Sequence, residues 1–343
     1  MIAADRAGEA ALLLSALLRS GRGGLLMRLT LVKALREAGD ARDALAAARE
    51  AASLHPGVAV VAVALGEAML AAGLLPTAIG EFQRALRLDP ESADARRALG
   101  RAWLDAGEPD KALETLASLD DVDALRAGAE AMKRAPRSNA NYVRHLFDQF
   151  SADYDARMIG QLGYRAPAIL RELFDLTAGT RGLAVLDLGC GTGLSGAAFR
   201  DAAARLVGVD LSPAMIEKAR ARGIYDELAV ADLETALDGT QRYGLILAAD
   251  TLVYLGDLSA VFAGVARSLE AEGRFLFTVE RKQGDGFDLG PKRRWRHSEA
   301  YLRDQAAAAG LNVAGLLECS PRSEAGQAVP GLAAAFCLAG KVG

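Results

Sequence analysis

Three carboxylates and three glycines stand in an order that suits a nucleotide-like ligand. In Val185–Leu194 (VLDLGCGTGL), four residues of strand character run into Gly189, Gly191 and Gly193, and a helical pattern follows. Glycine is needed where backbone turns sharply or lets a ligand approach without a Cβ in the way. The start of the following helix offers unpaired N–H groups and a partial positive charge. Asp187 lies inside the strand, Asp210 ends a second strand, and Asp232 closes a third in Ala231-Asp-Leu233. A second constellation lies downstream. Trp295 and His297 close the basic run Pro291-Lys-Arg-Arg-Trp-Arg-His297, and Tyr254 stands beyond a fourth strand. No Ser-His-Asp arrangement is visible, and three histidines make no convincing metal cluster, so no metal is expected.

These residues need a scaffold, and the pattern from about Tyr164 onward supplies one. Strands are predicted at Leu183–Leu188, Arg205–Val209, Leu228–Val230, Leu245–Ala248 and Arg274–Val279. Among the helices, Pro167–Leu176 is amphipathic, and Ser212-Pro213 pairs an N-cap with a proline at the first helical position. Others fall at about Leu258–Ala271 and His297–Ala309, and the apolar runs Leu311–Leu317 and Leu332–Leu338 add two terminal strands. Strands alternating with helices predict a doubly wound, mostly parallel sheet. Its ligand lies outside the carboxyl ends of the strands.

Ahead of this region the chain repeats itself at a period of 34. Leu31, Leu65 and Leu99 keep one phase, as do Gly39, Gly73 and Gly107, Ala44, Ala78 and Ala112, and Ala48, Phe82 and Leu116. His55-Pro56 is matched by Asp89-Pro90. The pattern resembles the tetratricopeptide repeat, two antiparallel helices with small residues where they cross and a proline closing the unit. Val58–Pro90 is the fullest unit, and Gly8, Ala10, Leu14 and Leu17 suggest a half-unit ahead of it. Such repeats stack into a curved solenoid whose concave face usually holds a peptide or protein, so a partner of that kind is expected. Stability alone, or a homodimer, is the other role open to it. Turn-forming residues in Arg134–Asn141 mark the boundary, and Tyr142–Arg157 is a helical aromatic stretch expected to pack across the second domain.

Two ligands compete for the glycine loop. Gly191–Gly196 satisfies the dinucleotide fingerprint, and Asp210 follows at about the distance of a ribose contact. Three features favour S-adenosyl-L-methionine (SAM) over NAD. A pyrophosphate gains nothing from Asp187 before the glycines, whereas an ammonium does. Asp232 is placed to accept from an adenine amino group. Only about 65 residues follow the fifth strand, enough for two strands and too few for a separate substrate domain.

In chain order, Val185–Gly193 resembles motif I of the class I SAM-dependent methyltransferases, and Gly208–Met215 resembles their second-strand motif. Asp232 with Leu233 resembles the adenine-contacting motif, and Leu245–Leu255 resembles motif IV. With the repeats in front, the chain is similar to bacterial methyltransferases that carry tetratricopeptide repeats. The resemblance, over about residues 142–340, implies a Rossmann-like seven-stranded sheet and SAM as cofactor, with S-adenosyl-L-homocysteine (SAH) as product. It implies cofactor contacts at Asp187, Gly189, Cys190, Gly191, Gly193, Asp210, Leu211 and Met215, and at Asp232, Leu233, Ala249 and Asp250. In related enzymes an aromatic-rich helix with a Tyr-Asp pair covers the cofactor, which implies that role for Tyr154. Tyr164 is then a candidate on the substrate side. Both tyrosines are equally readable as packing aromatics. The expected division is residues 1–135 as repeat domain, 136–163 as linker and cofactor-covering helix, and 164–343 as methyltransferase domain.

Methyl transfer from a sulfonium is an in-line displacement that asks for alignment, exclusion of water and, for a hydroxyl acceptor, a base. The resembling enzymes tend to place an aromatic, one residue and His-Ser after the fifth strand, matched by Trp295 and His297-Ser298. His297 is therefore a candidate base or substrate-orienting residue, or else simply a helix-start residue. Tyr254 is the second catalytic candidate, and Arg294 and Trp295 are candidate substrate contacts. Lys292, Arg293, Arg294 and Arg296 either attract an anionic substrate or form a solvated loop. His55 and His145 read as structural, and Cys190 as a small filler.

Composition bounds the setting. The chain of 343 residues, 51% hydrophobic and 24% charged, reads as soluble and globular, and a net charge of −4 argues against nucleic-acid binding by bulk electrostatics. Cys190, Cys319 and Cys337 lack disulfide or metal spacing, which predicts a reducing cytoplasm. Ala10–Leu18 is too short, and lacks the basic lead-in, for a signal peptide. No apolar run reaches the roughly 20 residues of a membrane span, so no membrane association is expected. The expectation is a cytoplasmic methyltransferase whose acceptor is a peptide or protein, or is delivered by one. Small-molecule O-, N- or S-methylation with a structural or dimerising repeat domain is the alternative. A repeat scaffold that only senses SAM is the alternative of another class.

Overall fold

A computed structural model describes residues 2–340 except 152, 178, 291 and 292. The chain divides into two units, Met1–Ala135 and Pro136–Gly343. The first is a succession of helices: α1 (Ile2–Arg19), α2 (Leu25–Glu37), α3 (Ala41–Leu54), α4 (Ala59–Ala71), α5 (Leu75–Leu88), α6 (Ala93–Asp105), α7 (Pro109–Leu116) and α8 (Asp123–Arg134). The repeat-phase glycines follow α2, α4 and α6 in the left-handed region, with φ of 83°, 76° and 69° at Gly39, Gly73 and Gly107. Side chains resist that conformation, so the period of glycine is a period of helix ends. Asp40 and Ser92 cap α3 and α6 by accepting from the N–H groups of Asp43 (3.1 Å) and Ala95 (3.3 Å).

Ala44, Ala78 and Ala112, on the second helix of each pair, are fully buried. Nearby, bulk is exchanged between the helices of a pair. Gly66 faces Phe82 and Gly100 faces Leu116, and a Cβ on either glycine would sit 2.5 Å from the facing side chain. One repeat earlier the same positions are Val32 and Ala48, members of one buried cluster. Among the described residues no helix is long and apolar enough to cross a membrane.

The second unit contains strands β1 (Leu183–Leu188), β2 (Ala203–Asp210), β3 (Glu227–Val230), β4 (Tyr243–Ala248), β5 (Leu269–Arg281), β6 (Phe287–Leu289) and β7 (Trp295–His297). These are followed by β8 (Leu311–Cys319), the two-residue β9 (Ser323–Glu324) and β10 (Gln327–Ala328), and β11 (Gly331–Leu338). Its helices are α9 (Ala140–Phe150), α10 (Tyr154–Ala156), α11 (Ala166–Thr177), α12 (Leu194–Phe199), α13 (Pro213–Arg222), α14 (Leu233–Ala236), α15 (Ser259–Ser268) and α16 (Glu299–Ala308). The seven expected strands lie in the order β3-β2-β1-β4-β5-β11-β8. Strands β1 to β5 are parallel, and β11 runs antiparallel to both β5 and β8. Alternation along the strands divides the core in two. Leu186, Leu188, Ile246, Phe275 and Phe277 pack with Phe262 and Phe336, while Val185, Leu245, Leu247 and Leu276 pack with Leu170, Phe174 and Phe199. A sheet covered on both faces needs such continuous apolar strands.

The region after β5 departs from the expectation of a basic loop running into a helix at His297. Strands β6 and β7 form a hairpin, and β7 also pairs in parallel with the end of β5, so among the described residues the sheet has nine strands. Arg296 pairs with Asp288 across the hairpin at 2.9 and 3.0 Å, and Phe287 packs edge-on against Trp295. Ser298 caps α16, which begins at Glu299. Three-residue strands of charged and aromatic residues carry no apolar period, which is why the pattern hid them. Pro291 and Lys292 of the basic run lie outside the described residues.

Candidate active site

The glycine turn is shaped by what surrounds it. Gly189, Gly191 and Gly193 have φ of 68°, 54° and 94°. A Cβ on Gly189 would lie 2.5 Å from the Thr251 side chain. The Cys190 N–H donates to the Val209 carbonyl and the Gly191 N–H to the Asp210 carboxylate, both at 2.9 Å, tying the turn to the end of β2. Asp187 lies in β1, just before the turn. It is fully buried, and its carboxylate accepts from the Ser195 hydroxyl (2.9 and 3.0 Å) and the Tyr225 hydroxyl (2.7 Å). Burial pushes its pKa up to about 6, against the opposing pull of Tyr225 and Ser195. Its carboxylate thus ties the end of β1 to the start of α12 and to Tyr225.

A cleft opens at the carboxyl ends of β1 to β4. Asp210, Leu211, Ala231 and Leu233 line it on the β2–β3 side, and Ala249, Asp250, Thr251 and Tyr254 on the β4 side. Gly189 and Gly191 come from the turn after β1, and Val143, Phe147 and Tyr154 come from the segment ahead of the sheet. Asp210 is 9% exposed and accepts from the N–H groups of Gly191 (2.9 Å) and Ser212 (2.8 Å). Burial pushes its pKa up to about 6; the two N–H donors oppose the shift and Asp148 adds to it. Asp250 sits in the left-handed region (φ 56°), its N–H donating to Thr278 Oγ1 at 2.8 Å. Phe147 meets Tyr154 and Tyr254 edge-on, with ring centroids 6.1 and 5.6 Å apart. Burial raises the pKa of both tyrosines, so both present neutral hydroxyls.

Other residues expected at the ligand stand behind the cleft. Cys190 and Met215 are buried and do not line it, and burial raises the Cys190 thiol far above its usual range. Gly193 serves as the N-cap of α12. Asp232 caps α14 through the Glu234 N–H (3.0 Å) and accepts from Arg137 (2.7 Å), so its carboxylate is committed while its neighbours Ala231 and Leu233 line the cleft. Tyr164 donates to the Ala249 carbonyl at 3.3 Å. Trp295 packs over Gly256 and Phe287. His297 is fully buried, its Nε2 donating to the Gly256 carbonyl at 3.0 Å and its ring stacked on Tyr301 at 5.7 Å. Burial lowers its pKa to about 4. His297, expected as a base or substrate contact, is thus buried outside the lining of the cleft.

A charge cluster that pattern reading missed stands behind Asp250. Arg322 is fully buried and bridges Asp250 (2.5 Å), Glu280 and Glu324 (3.1 Å). Arg294 adds a second cation 3.5 to 3.9 Å from the same three carboxylates, with its guanidinium 5.9 Å from the Tyr254 ring. A hint in the sequence was that Asp250 and Glu280 each directly follow a mostly apolar run, Leu245–Ala249 and Phe275–Val279.

The covering segment is anchored at three places, each on a different strand-to-helix loop. Arg137 pairs with Asp232 (2.7 Å) and Glu234 (3.1 Å) after β3. Asp148 accepts from the Ser212 hydroxyl (2.5 Å) at the start of α13. Asp155 accepts from the Thr192 hydroxyl (2.5 Å) and pairs with Arg222 at the glycine turn.

A methyltransferase-domain profile matches residues 185–273, and tetratricopeptide-repeat profiles match residues 29–92 and 70–135. The chain is 34% identical over 145 residues to aklanonic acid methyltransferase DauC of Streptomyces sp. (strain C5), which covers 40% of this chain and 64% of that protein. It is 31% identical over 137 residues to a malonyl-(acyl-carrier protein) O-methyltransferase of Acetivibrio thermocellus, covering 39% of this chain and 47% of the relative. The chain thus spans about half the length of the curated relatives it matches. Among solved structures, the (4+2)-cyclase SpnF superposes with a TM-score of 0.51 at 16% identity, over 60% of this chain and 98% of that one. A cyclase on this scaffold shows that the likeness carries the fold and not the reaction. Motif order, strand order and the matched profiles agree: the chain carries a methyltransferase domain with the class I fold, preceded by tetratricopeptide repeats.

Proposed function

We propose that the protein transfers the SAM methyl group to an acceptor that is a peptide or protein, or is carried by one, with the repeat unit as its recognition module. The cleft carries the reading: left-handed glycines, a buried Asp210 and an aromatic cover converge at the carboxyl ends of the strands. These residues fit SAM. Asp210 accepts from the ribose hydroxyls, Leu211, Ala231 and Leu233 flank the adenine, and Gly189 and Gly191 leave room for close approach. Ala249, Asp250 and Tyr154 border the methionine end. Residues 136–163 are then the linker and cover, between a repeat domain at 1–135 and a methyltransferase domain at 164–343.

Bound SAM supplies an electrophilic methyl group on a sulfonium. The chain's own part is to align the acceptor and exclude water. Phe147 and Tyr154 close over the cleft, and Tyr254, a neutral hydroxyl at its motif IV end, orients the acceptor by donating to it. Asp250 is engaged by Arg322 and His297 lies elsewhere, so neither takes the proton of a hydroxyl acceptor. That favours acceptors nucleophilic without a strong base, such as a carboxylate, a thiolate or a neutral amine. A relative named for malonyl-(acyl-carrier protein) receives its acceptor on a protein, an arrangement that a repeat unit suits. Three free thiols suit a reducing compartment such as the cytoplasm. A relative named for aklanonic acid supports the second reading, a small-molecule acceptor with a structural or dimerising repeat unit.

Isothermal titration of the intact chain with SAM, SAH and NAD tests the cofactor. SAM and SAH should bind, and binding of NAD alone would sink the methyltransferase reading. Labelled SAM added with the protein to a lysate tests the acceptor. Label in the macromolecular fraction supports a protein-borne acceptor, and label confined to small molecules moves the conclusion to the second reading.

A further inference from the structure

We propose that Pro136–Ser138 is a clasp that sets the width of the cofactor cleft, with the Arg137 guanidinium as its positioning group. The inference rests on the reading of the cleft as a SAM site. Two loops face each other across that cleft: Ala231–Leu233 leaves β3, and Thr251–Tyr254 follows β4. One three-residue segment holds both. On the β4 side the hold is by backbone. The Pro136 carbonyl accepts from the N–H groups of Gly256 (2.7 Å) and Asp257 (3.0 Å), and the Ser138 N–H donates to the Tyr254 carbonyl (2.8 Å). Arg137 itself forms a bridge with Leu255. On the β3 side the hold is by charge, through Asp232 at 2.7 Å and Glu234 at 3.1 Å.

The β3 loop needs such support. Strand β3 is the edge of the sheet, is four residues long, and is mostly exposed, so the sheet gives little packing to the loop that leaves it. The fork of Arg137 reaches two carboxylates that lie two residues apart, whereas an ammonium offers one point charge. Asp232 Oδ1 is already engaged in capping α14, and Arg137 takes Oδ2. Locking this carboxylate fixes the backbone between Ala231 and Leu233, the two residues that face the ligand. The acid expected to read adenine therefore acts on it indirectly, through the loop that Arg137 holds.

The test is titration of the intact chain with SAH and with methylthioadenosine, which keeps the adenosine and lacks the amino-acid end. Arg137→Ala should weaken both by about fivefold, the scale of two half-exposed ion pairs, and Arg137→Lys should recover part of the loss. In an Asp232→Asn/Glu234→Gln background, Arg137→Ala should change either affinity by less than about twofold, because its partners are already gone. Unchanged affinity in Arg137→Ala, or the same loss in both backgrounds, overturns the clasp. A wild-type chain that binds neither ligand overturns the cofactor reading itself, a result distinct from either of these.

Discussion

Asp210 answers two demands of opposite sign. Its pKa stands at about 6 in the free protein, above the ordinary 3.8, because burial disfavours its charge. For folding, an acid whose pKa is raised contributes stability that is complete below 3.8 and is lost as pH rises through about 6. For the cofactor the sign reverses, since ribose hydroxyls donate to the ionised carboxylate. SAH affinity should therefore climb as pH rises through about 6 and level off above it. Titrations across that range should show the climb in the wild type and its absence in Asp210→Asn. Tyr254 makes a separate prediction. Losing its hydroxyl in Tyr254→Phe should lower kcat by about tenfold while leaving SAH affinity within about twofold, since the hydroxyl is assigned to the acceptor and not to the cofactor. Arg322 makes a prediction about folding. Replacing it with Leu takes the buried guanidinium away from Asp250, Glu280 and Glu324, which should cost about 3–5 kcal/mol in denaturant unfolding. Adding Glu280→Gln should recover part of that loss.

At the scale of elements, the repeat helices keep a constant joint volume rather than constant residues. The pair is Val32 with Ala48, then Gly66 with Phe82, then Gly100 with Leu116. Phe82→Ala should cost the repeat unit about 3–5 kcal/mol by leaving a cavity. Gly66→Val alone should cost about 1–3 kcal/mol, because a Cβ there meets the Phe82 ring at 2.5 Å. Together they rebuild the pair used one repeat earlier, so the double variant should be more stable than Phe82→Ala. Helical circular dichroism during denaturant unfolding reads this directly. Two independent losses that simply add would refute the exchange. The same scale explains the cover. Arg137, Asp148 and Asp155 each grip a different strand-to-helix loop, and Val143, Leu146 and Phe147 pack on Val253 and Tyr254, so polar ties and an apolar face together orient the segment.

For the whole molecule, every residue lining the cleft lies in Pro136–Gly343. Removing residues 1–135 should therefore leave SAH affinity within about twofold and abolish labelling of a protein-borne acceptor. Full labelling by the shortened chain would assign recognition to the second unit.

What was legible in the chain was local and periodic. The repeats follow from one glycine and one alanine recurring every 34 residues, because each repeat solves the same packing problem. The glycine turn is readable because glycine takes its φ values at no steric cost, and the parallel sheet because buried strands are continuously apolar. By itself, then, the sequence determined a repeat array, a doubly wound sheet and a nucleotide-like seat at its carboxyl edge. Tertiary structure alone decided which charges line the cleft. Arg137 meets Asp232 across 95 positions of sequence and Arg322 meets Asp250 across 72, and Asp187 turns to Tyr225 instead of the cleft. Periodicity reports which face of an element is apolar. It carries no record of which distant partner completes a buried charge, and desolvation makes that partner decisive.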